Sequence, residues 1–273
     1  MLKGKKIAII GGGKMGSIIA HALVSRKIVS VHDLTITDVD AARLKHLRTE
    51  LGLKASSDNK KAVKSADVVI LAVKPQSMAQ TLKEIASSVT KAQIIISIAA
   101  GITASFIEDH LTKGARVVRV MPNTPALVGA GAAAVSKGKF ASAADIKLAR
   151  TIFDAVGITV EVEEKLMDAV TGLSGSGPAY CFLMIEALAD AGVQMGLPRD
   201  LALQMSAQTM YGSAHLCLKG DKHPAELRDM VTSPAGTTAA GLKVLEEGKL
   251  RAILMSAVEA ATKRSKELSG GRT

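Results

Sequence analysis

Glycines at positions 11, 13 and 16 stand in a G-x-G-x-x-G spacing, with Gly12, Lys14 and Met15 between them. An apolar run precedes them and a helical pattern follows, so they sit where a strand turns into a helix. Gly11 permits the tight turn, Gly13 lets a pyrophosphate approach the backbone, and Gly16 lets helix and strand pack closely. The helix start offers free N–H groups and a positive dipole end to phosphate. This is the chemistry of a dinucleotide site. Asp38 follows Gly16 by 22 residues, at the end of the next apolar run. A carboxylate there accepts a hydrogen bond from the ribose 2′-OH of NAD and repels the 2′-phosphate of NADP. Arg43 and Lys45 are near enough in sequence to offset that charge. Asp38 therefore leans the site towards NADH without excluding NADPH. Its alternative role is to cap the helix that follows.

Ligands of open α/β sheets sit at the carboxyl ends of the strands. Those ends here read Ala72-Val73-Lys74-Pro75-Gln76, Ala99-Ala100-Gly101 and Met121-Pro122-Asn123-Thr124. Small residues leave room for a nicotinamide ring, and Asn123 and Thr124 can hydrogen-bond. Lys74 is either a phosphate or ribose contact or a solvated loop lysine. Two later segments, Ser174-Gly175-Ser176-Gly177-Pro178 and Thr232-Ser233-Pro234-Ala235-Gly236-Thr237-Thr238, both place hydroxyls, small residues and proline at a helix start. Each is either an ordinary cap or a set of bare N–H groups for an anion such as a carboxylate. No G-x-S-x-G, H-E-x-x-H, C-x-x-C or P-loop lysine occurs, and no metal site is expected. A chain without an evident acid–base pair leaves the difficult chemistry to its cofactor.

The elements that position these residues fall into two parts. In residues 1–163, short β-branched runs at 7–10, 34–37, 68–73, 94–98 and 117–121 alternate with helical patterns at 15–25, 40–51 and 76–88. Two more strands are expected at 132–135 and 159–162, around a helix at 143–156. The runs are apolar throughout, as in a doubly wound α/β sheet covered on both faces. Residues 164–273 read as helices alone: 165–171, 178–195, 199–218, 224–231, 237–247 and 250–268. The stretch from Tyr180 to Met195 is apolar on most of its circumference and must be covered on nearly all sides. Either a subunit interface or a monomeric bundle would cover it.

Composition narrows the setting. There are 35 lysines and arginines against 25 acids, and the whole excess lies in residues 1–163. A basic domain suits nucleic acid, a smaller polyanion or simply solvent. Nucleic acid is disfavoured, because only 2% of residues are aromatic and tryptophan is absent. Two cysteines, Cys181 and Cys217, make no disulfide framework and indicate a reducing, cytoplasmic setting. No apolar run is long enough to cross a membrane. Lys3, Lys5 and Lys6 before residues 7–10 resemble a signal peptide, but the run is too short.

Taken together, the motifs resemble Δ1-pyrroline-5-carboxylate reductases. The resemblance covers nearly the whole chain. It is carried by the glycine loop through Met15, by Ala72-Val73-Lys74-Pro75-Gln76 and by Arg119-Val120-Met121-Pro122-Asn123-Thr124-Pro125. It continues in Thr171-Gly172-Leu173-Ser174-Gly175-Ser176-Gly177-Pro178-Ala179-Tyr180. Its most specific part is His223-Pro224-Ala225-Glu226-Leu227-Arg228-Asp229 with the Val231-Thr232-Ser233-Pro234-Ala235-Gly236-Thr237-Thr238 stretch. It implies a Rossmann-like domain and a helical dimerisation domain, with hydride transfer from NADPH or NADH to the C=N carbon of the substrate, giving proline. The implied cofactor contacts are Gly11, Gly13, Lys14, Met15, Gly16, Asp38, Ala72, Val73, Lys74, Pro75, Ala99 and Asn123. The implied substrate contacts are Ser176, Ser233, Gly236, Thr237 and Thr238, with Thr238 nearest the ring nitrogen and the site completed across a dimer. Asp38-Val39 departs from members that favour NADPH. Two rivals remain: a 3-hydroxy acid dehydrogenase, which needs a lysine that residues 174–180 lack, and a silent nucleotide-binding protein.

Overall fold

The computed structural model describes residues 2 and 4–270; Met1, Lys3 and the last three residues lie outside it. The chain divides into two compact units, one running to Ser176 and rejoined from Ala260 onward, the other Gly177–Glu259. The first unit holds β1 (Ile7–Ile10), α1 (Lys14–Ser25), β2 (Leu34–Thr37), α2 (Ala41–Leu51), β3 (Lys54–Ser56), α3 (Asn59–Lys64), β4 (Val68–Leu71) and α4 (Met78–Ile85). It continues with β5 (Ile94–Ser97), α5 (Ala104–His110), β6 (Arg116–Met121), β7 (Gly131–Lys137), α6 (Ala143–Phe153), β8 (Gly157–Glu161) and α7 (Met167–Val170).

One eight-stranded sheet has the order β3-β2-β1-β4-β5-β6-β7-β8. Strands β1 to β6 run parallel, with Ile7 beside both Leu34 and Val68. β7 turns back antiparallel to β6, and β8 follows β7 in parallel. The continuous apolar runs have a simple cause. Ile7 and Ile9 enter one core cluster and Ala8 and Ile10 another; Val68 and Ile70 divide from Val69 and Leu71 in the same way. Both faces of the sheet are therefore buried, as parallel strands require. α1 buries Gly16, Ile19, Ala20 and Leu23, a stripe at helical spacing on the first of these clusters. The reversal of chain order between β3 and β4 lies beside β1, which opens a crevice at the carboxyl end of that strand.

The second unit is helical: α8 (Gly177–Gln194), α9 (Arg199–Lys219), α10 (Pro224–Met230), α11 (Thr237–Glu247) and the start of α12 (Leu250–Gly270). α8 and α9 form a hairpin turned by Gly196, whose φ of +97° suits glycine. Packing is tightest where small residues meet: a methyl at Gly192 would lie 3.1 Å from the Ala202 side chain. In α8 only Ala189 is fully buried, while Phe182 is 63% and Leu183 66% exposed. The monomeric-bundle reading of α8 is therefore wrong, since a single chain leaves most of its apolar surface uncovered. The C-terminal part of α12 belongs to the first unit, where Ser265 Oγ donates to Asp168 at 2.6 Å. Among the described residues, no helix is long and apolar enough to cross a membrane.

Candidate active site

The glycine loop is set by close approach. Gly11 has φ +107°, and a Cβ there would lie 2.6 Å from the Ala72 carbonyl at the end of β4. A Cβ at Gly16 would lie 2.0 Å from the Gly11 carbonyl oxygen. Gly13 differs, with no atom within 4 Å of its Cβ position. It is the N-cap of α1 and has no side chain capping it, so the first N–H groups of the helix face open space. Gly12 is a further tight point that the G-x-G-x-x-G pattern does not mark: a methyl there would meet Leu47 at 2.7 Å. Ser17 Oγ donates to the Gly12 carbonyl at 2.8 Å and ties the loop to its own helix.

Asp38 stands at the end of β2, but the next helix is capped by Asp40, whose side chain accepts from the N–H groups of Ala42 and Arg43. Asp38 braces the glycine loop instead. Its Oδ2 accepts from Gly12 N–H at 2.8 Å and from Arg43 Nη1 at 3.0 Å, and its Oδ1 from Asp40 N–H at 2.9 Å. Burial alone would raise its pKa. The Asp40 N–H, the Arg43 guanidinium and the Gly12 N–H outweigh that and hold the carboxyl below its usual range.

A cavity of about 520 Å³ opens at this end of the sheet, lined among others by Gly11, Gly13, Asp38, Val39, Arg43, Ala72, Val73 and Lys74. Lys14 and Met15 form the first turn of α1 and do not line the cavity; Met15 packs against the core. Pro75 begins a 3₁₀ turn of which Lys74 is the N-cap. Ala99 is buried just beyond β5 and belongs to the core rather than to the cavity lining. The fit to a dinucleotide is physical: an open backbone at Gly13, an uncapped helix start and a polar pocket at the end of β2. Asn59, Gln80 and Glu84 line the same cavity and were not legible as part of the site, because α3 and α4 bring them in.

Asn123 is committed to the protein. Its Oδ1 accepts from Ala132 N–H at 2.8 Å, and its Nδ2 donates to the carbonyl and hydroxyl of Ser174 at 3.2 Å. It pins the end of β6 to the segment Thr171–Gly175, which forms a π-helical turn. α8 does begin at Gly177, as residues 174–178 suggest, but directly after this π-helical turn rather than after a loop. Ser176 has α-helical backbone angles, and its N–H is spent on the Thr171 carbonyl at 2.8 Å. The second segment also begins a helix. Gly236 is the N-cap of α11 and has no side-chain cap, and Thr237 and Thr238 form the first turn. Ala235 holds a left-handed φ of +58° immediately before it. Ser233 is exposed beside the turn, with its Oγ 2.2 Å from the site of a Gly236 Cβ. Thr238 is half-buried.

A mostly parallel sheet, a glycine-loop dinucleotide cavity and a helical second unit define a Rossmann-type NAD(P)-dependent oxidoreductase. A family model for pyrroline-5-carboxylate reductase dimerisation matches residues 164–268, and one for NADP oxidoreductases dependent on coenzyme F420 matches residues 6–101. The chain is 48% identical to a pyrroline-5-carboxylate reductase of Methanosarcina acetivorans, covering 98% of this chain and 99% of that protein. It is 45% identical to one of Arabidopsis thaliana, covering 97% and 95%. A solved pyrroline-5-carboxylate reductase of Coxiella burnetii superposes with a TM-score of 0.91 at 38% identity, covering 97% and 98%. The Plasmodium falciparum pyrroline carboxylate reductase, solved with NADP bound, superposes with a TM-score of 0.88 at 34% identity, covering 97% and 98%. The chain belongs to the pyrroline-5-carboxylate reductase family, and its cofactor is NAD(P)H.

Proposed function

We propose that this chain reduces 1-pyrroline-5-carboxylate to L-proline, the last step of proline biosynthesis, working as a homodimer or larger homo-oligomer in the cytoplasm. The reading is carried by one observation: the hydroxyl-ringed start of α11 has no side-chain cap, which leaves it free for a small carboxylate. The second unit supports self-association, through both its match to a dimerisation family and the uncovered apolar face of α8. Two exposed free thiols suit a reducing compartment.

When bound, NAD(P)H supplies the hydride that the ring C=N carbon accepts, while the ring nitrogen gains a proton, so the imine becomes a secondary amine. Gly11, Gly13 and the first turn of α1 would hold the pyrophosphate, with Gly16 letting the helix pack close beneath it. Val73 and Lys74 would border it, and Asp38 and Arg43 would face the adenosine ribose. The uncapped start of α11 at Gly236 and Thr237, with the Ser233 hydroxyl, would hold the substrate carboxylate, the Gly236 N–H being itself spent on the Ser233 carbonyl at 3.0 Å. Ser176 borders the ring. The Thr238 hydroxyl is a poor acid, so it orients the ring nitrogen or relays a proton from water; the iminium form arrives already protonated. Positioning is thus the protein's main contribution.

The test is spectrophotometric. Reduced cofactor should be consumed on adding pyrroline-5-carboxylate, with both NADH and NADPH, and not on adding 3-hydroxy acids or keto acids. Cofactor binding without turnover would instead identify a silent nucleotide-binding protein.

A further inference from the structure

We propose that this chain carries a second anion-binding cavity, beside the outer face of α1, that takes a small phosphorylated organic molecule. The cavity has a volume of about 450 Å³ and is walled by α1, α2 and the 3₁₀ turn Thr124–Val128 that follows β6. It shares no lining residue with the cofactor cavity. Its titratable lining is His21 of α1, Arg26 at the C-cap of α1 and His46 of α2, and no carboxylate lines it. That set is the local form of a basic excess lying wholly in residues 1–163. The protein does not use these groups itself. Among the described residues, none of the three side chains has a hydrogen bond or an ion pair. Arg43, Arg116 and Arg119 of the same unit each hold a carboxylate.

Helical spacing collects the donors. Ser17, His21 and Ser25 follow at four-residue steps along α1, with Arg26 next. The Ser17 hydroxyl donates to the Gly12 carbonyl at 2.8 Å and the Ser25 hydroxyl to that of Ala22 at 3.4 Å. The uncommitted donors are therefore the two imidazoles and the guanidinium. Arg26 is seated against the turn: Gly129 has φ +74°, and a Cβ there would lie 2.7 Å from Arg26 Nη2, so the glycine leaves room for the guanidinium. Five donors in a plane, flanked by two imidazoles, match the oxygens of a phosphate dianion. The rest of the wall is apolar, with Ile18, Leu51, Leu127 and Val128. Leu127 is 72% and Val128 78% exposed. A bare ion would leave that wall wet, whereas a phosphate on an apolar body uses both parts. The volume suits a small molecule.

The experiment is calorimetric titration of the full-length chain with phenyl phosphate, inorganic phosphate and benzoate. Saturating NAD+ is present throughout, which removes the cofactor cavity from competition. Phenyl phosphate should bind saturably at one site, at least about 10-fold tighter than inorganic phosphate, the scale of burying an aromatic ring. In Arg26→Ala its affinity should fall about 10- to 100-fold, the scale of lost charge-assisted hydrogen bonds. His21→Gln and His46→Gln should each weaken it by about 2- to 10-fold. All three positions are exposed, so urea midpoints and NAD+ affinity should stay at the parent values. The inference is overturned if phenyl phosphate fails to bind beside NAD+, if Arg26→Ala binds it as the parent does, or if benzoate or inorganic phosphate binds as tightly.

Discussion

Two glycines three residues apart should respond in opposite ways to the same added methyl group. At position 16 an alanine Cβ would stand 2.0 Å from the Gly11 carbonyl oxygen, where ordinary contact begins at 3.4 Å. That neighbour is backbone, fixed by its own approach to Ala72, so α1 must withdraw by about 1 Å or more. Overpacking of this kind costs about 1–3 kcal/mol or more, against about 1 kcal/mol gained from alanine's helix propensity. Gly16→Ala should therefore lose about 1–2 kcal/mol of stability and also lose dinucleotide affinity, because the loop and helix start move together. At position 13, φ is −66° and ψ −172°, values alanine adopts freely, and nothing lies within 4 Å. Gly13→Ala gains from a stiffer unfolded chain and loses a better N-cap, leaving stability within about 0.5 kcal/mol. Its methyl group would stand between the pyrophosphate and the first N–H groups of α1, so dinucleotide affinity should fall at least about 10-fold. Urea unfolding at fixed protomer concentration and calorimetric titration with NAD(P)+ read the two effects separately. The reasoning fails if Gly13→Ala binds as the parent does, or if it loses as much stability as Gly16→Ala.

Other outcomes follow from the same geometry. Thr238→Ala should lower kcat/KM about 10- to 1000-fold with dinucleotide affinity unchanged, checked by steady-state kinetics beside titration. Ala235→Gly relieves a left-handed φ of +58° and should stabilise the chain by about 0.5–1 kcal/mol, seen as a raised urea midpoint. Because the folded Asp38 carboxyl lies below its usual range, its contribution is fully present above an ordinary aspartate pKa of about 4 and is lost as pH falls through the lowered folded value. Asp38→Asn should therefore be less stable than the parent at neutral pH, and the gap in urea midpoints should close in acid.

Much of this architecture can be read from local pattern. β1 and β2 carry apolar runs ended by Gly11 and Asp38, and their observed bounds, Ile7–Ile10 and Leu34–Thr37, are those expected. β3 was missed because Lys54-Ala55-Ser56 has no apolar signal; it exists only as an edge paired to Thr35, Ile36 and Thr37. α3 and α5 were missed because they are six and seven residues long, although Asp58 and Thr103 cap them. Residues 174–178 rightly signalled the start of α8 at Gly177, but not the π-helical turn that leads into it and takes up the Ser176 N–H. Arg43 was legible as a neighbour of Asp38, five residues on. The partners of Asn123 were not, since Ser174 is 51 residues away and only the fold brings the two together.

The central claim is that a reduced nicotinamide lies against a small cyclic imine whose carboxylate is held at the start of α11. Its most direct test is a crystal structure of the chain with L-proline and oxidised cofactor bound together. The account expects the proline carboxylate on the first free N–H groups of α11, from Thr237 onward, its ring nitrogen beside Thr238, and its ring in van der Waals contact with the nicotinamide. Proline bound elsewhere, or remote from the nicotinamide, would contradict it.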